Sequence, residues 1–180
     1  HNNMGASPSI PEGEQIVQIN NNKKGESAIY RHVNAKDKLK ERLDDDVKTL
    51  YDSFKRTVTK YPHNAYLGWR VGDSPYRWMS YKMAHTRATN VGAGLRGLGL
   101  TPHKDHVGLY SINRPEWVIT GHGADAHSIC LVPLYDTLGP EVVQYIVNQV
   151  ELRVVCCSGD KVDSLIESAE KMKSLKSIVS

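Results

Sequence analysis

Apolar residues recur every three or four positions in two stretches of the chain, and each stretch predicts an amphipathic helix. The first covers residues 43–61, with three consecutive aspartates at 44–46 near its predicted start and Pro62 after its end. Its predicted buried face comprises Val47, Leu50, Tyr51, Phe54 and Val58. The second covers residues 80–98 and ends among glycines, of which Gly97 or Gly99 suits a left-handed helix cap.

Shorter apolar segments predict strands. Two aromatic-rich segments, 65–71 and 76–81, flank Gly72-Asp73-Ser74-Pro75, which is typical of a hairpin turn. From His106 onward, short strands and helices alternate. Strands are predicted at 106–110, 129–135, 153–157 and from 177, and helices at 115–127, 140–150 and 161–173. This alternation predicts an α/β fold, a partial parallel sheet flanked by helices.

The first 42 residues differ from the rest. They are rich in Asn, Gly, Ser and charged residues with little periodicity, so we predict a flexible leader at 1–42 and a truncated folded part at 43–180. Residues 1–3 resemble the remnant of an expression tag before Met4. With Met4 as the native start, Gly5 fits the N-myristoylation pattern, although a chance match is the alternative. A single myristoyl chain would give only peripheral membrane association.

Composition narrows the class of protein. The 23 Lys and Arg against 20 Asp and Glu give a net charge of +3 without a basic stripe, so we expect no nucleic-acid partner. The three cysteines, Cys130, Cys156 and Cys157, lie in strand-like runs and are predicted to be buried thiols. Neither a secretory signal nor an apolar run of membrane-spanning length is present, which predicts a cytoplasmic protein.

The segment from Val132 to Val143 combines the features of a strand end and a helix start. Its apolar half predicts a buried strand that Pro133 places at an edge or an end, and Pro140 suits the first turn of a helix. Asp136 and Thr137 between them can bond free backbone N–H groups. Such strand-to-helix turns are where α/β folds bind anionic ligands.

Other patterns are interpreted as structural. Gly92-Ala93-Gly94-Leu95-Arg96-Gly97 matches a dinucleotide fingerprint, but it lies late in a helix, so the glycines are expected to permit close packing. His122 and His127 are five residues apart, and no Cys or carboxylate completes a set of metal ligands with them. We therefore predict no metal site and interpret these histidines as surface or core-edge residues.

Several runs, in order, resemble the N-terminal part of long-chain acyl-CoA synthetases, members of the adenylate-forming (AMP-binding) superfamily. They are Trp78 to Lys82, the helix end at 91–100, Val107 to Trp117, and 132–143. The run Leu-Tyr-Asp-Thr-Leu-Gly at 134–139 resembles the long-chain, eukaryotic-type branch. The similarity covers about residues 43–180 and implies the start of the large N-terminal domain of such an enzyme.

The resemblance implies that the whole protein joins a fatty acid to CoA with ATP, releasing AMP and pyrophosphate, with magnesium on the polyphosphate. The family's Ser/Thr/Gly-rich phosphate loop does not occur in these 180 residues. We therefore expect the segment alone to be inactive and predict no catalytic residue in it.

The resemblance also implies ligand contacts. The positions that match the family's CoA-binding turn are Tyr135, Asp136 and Thr137, with Lys161 as a further phosphate contact; the alternative is that Asp136 and Thr137 cap the helix and Tyr135 is core. The family-typical Asn113, Arg114, Glu116 and Trp117 are expected to be structural. Asn113 would cap a helix and Trp117 would pack between helix and sheet. Arg114 and Glu116 would pair locally or tie to a neighbouring strand.

Two alternatives stay open at this point. One is another acid–thiol ligase of the same superfamily, and the other is a free-standing α/β binding or interaction module without catalysis. A truncated sheet has an exposed edge, so we expect this piece alone to hide that edge by self-association or by pairing with the missing remainder of the protein.

Overall fold

The computed structural model describes residues 13, 15–20, 23–42, 44–135, 137 and 139–180. It contains two compact units, the first ending at Asp45 and the second running from Asp46 to Ser180. In the first unit, β1 (Ile16–Gln18) pairs antiparallel with β2 (Tyr30–His32), which the weak periodicity did not predict. The flexibility of the leader stays a prediction. Gly5 and residues 1–3 lie outside the described residues.

Helix α1 (Leu50–Lys60) starts later than predicted. Thr49 forms a capping box with Asp52: its Oγ1 accepts from the Asp52 N–H at 3.0 Å, and the Asp52 carboxylate accepts from the Thr49 N–H at 2.9 Å. Because these two reciprocal bonds satisfy free N–H groups at Thr49 and Asp52, the helix begins after Thr49 and not at the three aspartates. Leu50, predicted to be buried, is 81% exposed because it lies in the first turn, whereas Phe54 is buried as predicted.

The predicted hairpin is confirmed. Strands β3 (Ala65–Trp69) and β4 (Arg77–Ser80) pair antiparallel. Leu67 and Trp69 pack into an apolar cluster with Phe54 and Met79.

Helix α2 (Tyr81–Gly97) follows the hairpin directly and crosses α3 (Pro115–Asp125) at two glycines. A Cβ atom on Gly123 would lie 2.7 Å from the Ala88 carbonyl oxygen, and one on Gly92 would lie 2.7 Å from the Gly123 carbonyl oxygen. Only glycine permits this approach at both positions. This confirms a packing role for Gly92 in the Gly-rich run, and Gly99, with φ of 85°, adopts the predicted left-handed conformation just after the helix.

The second unit is built on a parallel sheet. Its strands are β5 (His106–Tyr110), β6 (Cys130–Leu134), β7 (Val154–Cys157) and β8 (Ser177–Val179), in the order β6-β5-β7-β8 with every pairing parallel. Helices α2 and α3 cover one face, and α4 (Pro140–Gln149) and α5 (Val162–Glu167) cover the other. The predicted α/β fold is confirmed.

Helix α5 is shorter than the 161–173 predicted. The Asn148 side chain donates to the Lys171 carbonyl at 2.8 Å and accepts from the Lys173 N–H at 3.1 Å. These bonds hold the chain in a turn, so the segment does not continue as a helix.

Strand β6 lies at the edge of the sheet, as Pro133 indicated, but it is not the buried strand predicted. Leu134 is buried, whereas Cys130 and Pro133 are exposed. The prediction of a buried Cys130 is therefore wrong, because an edge strand has a neighbour on one side only. No helix within the described ranges is long and apolar enough to cross a membrane.

Candidate functional site

The carboxyl ends of three neighbouring strands meet at one edge of the sheet. Strand β5 lies between β6 and β7, and all three run parallel, so the segments that continue from them emerge side by side. Tyr135 follows β6, Ser111 follows β5, and Ser158 to Lys161 follow β7. We call this the carboxyl edge; in open parallel sheets ligands bind there.

Tyr135 and Thr137 are both exposed at the carboxyl edge, and 63% of Tyr135 is accessible. Helix α4 begins at Pro140, as predicted, with Gly139 in the N-cap position and no side-chain capping bond. Thr137 is therefore not the cap, and Tyr135 is not core. Asp136 lies outside the described residues. The carboxyl edge thus presents an aromatic ring and a hydroxyl to solvent just before α4 begins. Pro140 has no N–H, and the Val142 and Val143 N–H groups donate to the Gly139 carbonyl, so this helix start offers an anion few N–H groups.

Lys161 lies at the end of the turn after β7. Its Nζ is 3.3 Å from an Asp160 carboxylate oxygen and 5.5 Å from the centroid of the Tyr110 ring. The neighbouring Ser158 and Lys161 side chains lower the pKa of Asp160, which therefore stays ionised. Lys161 therefore lies near the end of β5, the strand between β7, which precedes Lys161, and β6, which precedes Tyr135. The neighbouring Asp160 carboxylate offsets the charge of Lys161.

The family-typical residues surround the start of α3. Arg114 occupies the N-cap position without a side-chain capping bond, so the prediction that Asn113 caps this helix is wrong. Pro115 occupies the first helical position, where its missing N–H would have no partner inside the helix in any case. Helix α3 therefore begins without a polar side-chain cap.

The predicted local pair of Arg114 and Glu116 is confirmed, with Nε to Oε2 at 2.7 Å. Burial raises the pKa of Glu116, but the Arg114 hydrogen bond and the nearby Arg87 outweigh it, and the pKa is lowered overall. Trp117 is half-buried against the apolar cluster between α3 and the sheet, as predicted.

The comparison with protein families identifies this architecture. Residues 54–180 match the model described as AMP-binding enzyme, which is more than half of the chain. The chain belongs to the AMP-binding enzyme family.

Curated relatives of this AMP-binding chain include long-chain synthetases. The chain is 36% identical over 178 residues to long chain acyl-CoA synthetase 6, peroxisomal, of Arabidopsis thaliana, covering 94% of this chain and 25% of that protein. It is 41% identical over 128 residues to long-chain-fatty-acid–CoA ligase 5 of Rattus norvegicus, covering 70% of this chain and 19% of that protein. The resemblance stated from the sequence is confirmed. The chain spans about a quarter or less of the length of these relatives.

A solved structure shows the same fold. A Mycobacterium tuberculosis fatty acyl CoA synthetase matches with a TM-score of 0.62 at 22% identity, over 76% of this chain and 27% of that chain. At this identity the match shows the fold alone.

A cavity of about 460 Å³ opens beside the carboxyl edge of the AMP-binding chain, on the face of the sheet that α2 and α3 cover. Leu109, Trp117 and Cys156 line it, with Arg87 of α2 also contributing. Sequence analysis missed this cavity and Arg87, because its lining comes from separate segments of the chain, such as those that contain Arg87, Trp117 and Cys156.

The two cysteines of β7 beside this cavity are not nucleophiles. Burial raises the pKa of Cys156 to about 11, with Cys157 adding to the shift, and burial also raises the pKa of Cys157. Both thiols stay protonated at neutral pH. The prediction of a buried thiol is confirmed for Cys156, while Cys157 is half-buried.

A resident metal does not fit the described part of the chain. Within it, no group of three or more His, Cys, Asp or Glu side chains is placed to hold a metal ion. His122 is instead a core-edge residue, as predicted: its ring stacks on Phe54 with centroids 3.7 Å apart, and its Nε2 lies 2.8 Å from the Tyr66 hydroxyl.

Proposed function

We propose that this chain is part of an ATP-dependent long-chain fatty acid–CoA ligase. The observation that carries the proposal is the 36–41% identity to long-chain acyl-CoA ligases, which extends over most of the chain. In the proposed reaction the fatty carboxylate attacks the α-phosphorus of ATP, which forms an acyl-adenylate and releases pyrophosphate. The CoA thiol then attacks the acyl carbon, its proton is lost, and AMP leaves.

The share of the reaction proposed for this chain is to hold part of CoA. The exposed ring of Tyr135 would stack on the adenine, and the Thr137 hydroxyl and the Glu141 N–H in the first turn of α4 would donate to phosphate oxygens. The α4 helix has 10 residues, long enough for a helix-terminus effect, although Glu141 in its first turn offsets that effect. Asp136 would repel phosphate unless it bonds the backbone.

Lys161 is proposed as a weaker phosphate contact. Asp160 offsets its charge, and the ring of Tyr110 holds its stem at the end of β5. To displace Asp160, a phosphate would have to interact with Lys161 more strongly than Asp160 does. Surface ion pairs contribute only about 0–1 kcal/mol. We place magnesium on ATP in the whole enzyme rather than on residues of this chain.

Pyrophosphate release tests the proposed function. The 180-residue chain would be compared with a chain that carries the full length typical of the relatives, each with ATP, a long-chain fatty acid and CoA. We expect release that depends on the fatty acid in the longer chain only. A longer chain that releases pyrophosphate with an aryl acid but not with a fatty acid would indicate another ligase of the superfamily. No release from either chain would favour a binding module.

Location and association are also proposals. We propose a cytoplasmic protein that associates peripherally with membranes through a Gly5 lipid, and that self-associates through the edge strands β6 and β8. Sedimentation of the chain would test self-association, since a monomer at all concentrations would contradict it.

A further inference from the structure

The opposite edge of the sheet, where the strands begin, is lined with cations. A basic residue lies at or near the start of each of three adjacent strands. Arg153 directly precedes β7, Lys176 directly precedes β8, and Lys104 lies two residues before β5, with Asp105 between. Because the strands are parallel and adjacent, these residues come together although they lie up to 72 positions apart in the chain. We call this the amino edge.

The amino edge contains an open cleft of about 700 Å³. The charged side chains that line it are Lys104, Arg153, Lys173, Lys176, Asp105 and Glu151. Four cations against two carboxylates leave an excess of positive charge. Like charges repel, so an anion in the cleft would relieve that repulsion.

One of the two carboxylates that line the cleft, Asp105, already has an ion-pair partner and a hydrogen-bond donor. The Asp105 carboxylate is 3.5 Å from Arg153 Nη1 and accepts from the Thr101 N–H at 2.7 Å. That backbone hydrogen bond and Arg153 lower the pKa of Asp105. Arg153 Nη1 also donates to the Gly99 carbonyl at 3.3 Å, while its Nε is buried without a hydrogen-bond partner among the described residues.

The backbone that carries the two C-terminal lysines is fixed. Asn148 bonds the Lys173 N–H, and the Arg153 carbonyl accepts from the N–H groups of Lys176 at 2.9 Å and Ser177 at 3.0 Å. The Ser174 hydroxyl donates to the Val147 carbonyl at 3.2 Å. The lysine stems therefore start from positions set by hydrogen bonds, which reduces the entropy lost when they bind a ligand.

From these observations we infer that the amino-edge cleft is a binding site for a phosphate-bearing anion, separate from the carboxyl edge. Compact ammonium groups on exposed stems suit a phosphate, whose charge is spread over several oxygens. A dissolved phosphate and the phosphate headgroup of an anionic lipid share this chemistry. The inference does not depend on the proposed ligase function.

Pyrophosphate titration of the 180-residue chain, followed by backbone amide NMR, tests this site. We expect shifts at the amides around Lys104, Arg153, Lys173 and Lys176, and binding about tenfold weaker in the double variant Lys173→Gln/Lys176→Gln. The matched control is Lys55→Gln/Lys82→Gln, which removes two exposed lysines of α1 and α2. Glu151→Gln should tighten binding, because it removes a carboxylate from the cleft.

A second arm separates the two sources of phosphate. The chain would be sedimented with vesicles of phosphatidylcholine alone or of phosphatidylcholine with phosphatidic acid. Binding to the acidic vesicles that Lys173→Gln/Lys176→Gln removes, together with weak pyrophosphate binding, would assign a lipid headgroup; tight pyrophosphate binding without vesicle binding would assign a dissolved phosphate.

Three results would overturn the inference. The first is that neither pyrophosphate nor acidic vesicles bind. The second is an equal loss of binding in the control double variant, which would indicate general charge attraction. The third is weaker binding in Glu151→Gln.

Discussion

The two edges of the parallel sheet differ in chemistry although the same strands form both. At the carboxyl edge an exposed aromatic ring and a helix start lie beside a cation that Asp160 partly neutralises. At the amino edge four cations line one cleft with only two carboxylates. The strands set where the loops emerge, and the loop residues set what each edge can bind. We propose a nucleotide with an aromatic base at the carboxyl edge and a bare phosphate at the amino edge.

The crossing of α2 and α3 packs against one face of the sheet that carries both edges. Replacing Gly123 with Ala would break it, because the new Cβ would lie 2.7 Å from the rigid Ala88 carbonyl oxygen. We expect the free energy of unfolding to fall by about 1–3 kcal/mol in urea titrations, the largest effect among our predictions. Ligand binding at both edges should weaken together in a chain so destabilised.

Gly94→Ala is the matched control for the helix crossing. A Cβ at Gly94 would meet nothing within 4 Å, so this variant should gain about 0.5–1 kcal/mol from helix propensity. Equal destabilisation by the two substitutions would show that the crossing does not have the structural role we describe.

We expect acid to lower the free energy of unfolding through protonation of His122, which lies on neither edge of the sheet. Burial lowers the pKa of His122, with His85 adding to the shift and Asp125 opposing it. A folded pKa below the unfolded value means that stability is complete above about 6.5. It is lost as pH falls from there through the folded pKa. The charged ring would lie against Phe54 and Tyr66.

His122→Phe tests that assignment, because it keeps a ring next to Phe54 and removes the titrating group. The free energy of unfolding should fall less between pH 7 and pH 5 in the variant than in the native chain. Parallel pH profiles for the two chains would assign the acid sensitivity to the other histidines.

Thr49 and Thr137 allow a threonine that caps a helix to be compared with an exposed threonine at the carboxyl edge. Thr49 caps α1, so Thr49→Ala should cost about 1 kcal/mol of unfolding free energy. Thr137 at the carboxyl edge caps nothing, since Gly139 holds that position, and Thr137→Ala should change stability by less than about 0.5 kcal/mol. Thermal unfolding of both variants measures this. A cost at Thr137 equal to that at Thr49 would restore its interpretation as a cap.

Much of the fold could be predicted from the sequence. Strand β5 has the predicted bounds, and β6, α4 and β7 lie within one residue of theirs, because periodicity and flanking prolines report local structure directly. The start of α1 was missed because three aspartates and one threonine compete as start signals. Cys130 was misjudged because an apolar residue in a strand does not show whether the strand is central or at an edge.

The sites were harder to predict. Tyr135, Thr137 and Lys161 could be selected only because of the family resemblance, and that resemblance did not show that Asp160 partly neutralises Lys161. The amino-edge cleft had no local signal at all. Lys104 comes from one loop and Lys173 and Lys176 from another, and only the pairing order β5-β7-β8 brings the two loops together.

Titration of CoA tests the division between the edges most directly. Tyr135 and Tyr145 are each 63% exposed, so Tyr135→Ala and Tyr145→Ala remove the same exposed ring from the carboxyl edge and from α4. We predict that Tyr135→Ala weakens CoA binding at the carboxyl edge, followed at the backbone amides of α4, about tenfold through lost stacking on adenine. Tyr145→Ala and Lys173→Gln/Lys176→Gln should leave binding at that edge unchanged, although the lysine variant should lose contacts of the CoA phosphates at the amino edge. CoA binding at the carboxyl edge that survives Tyr135→Ala but is lost in the lysine variant would contradict the account.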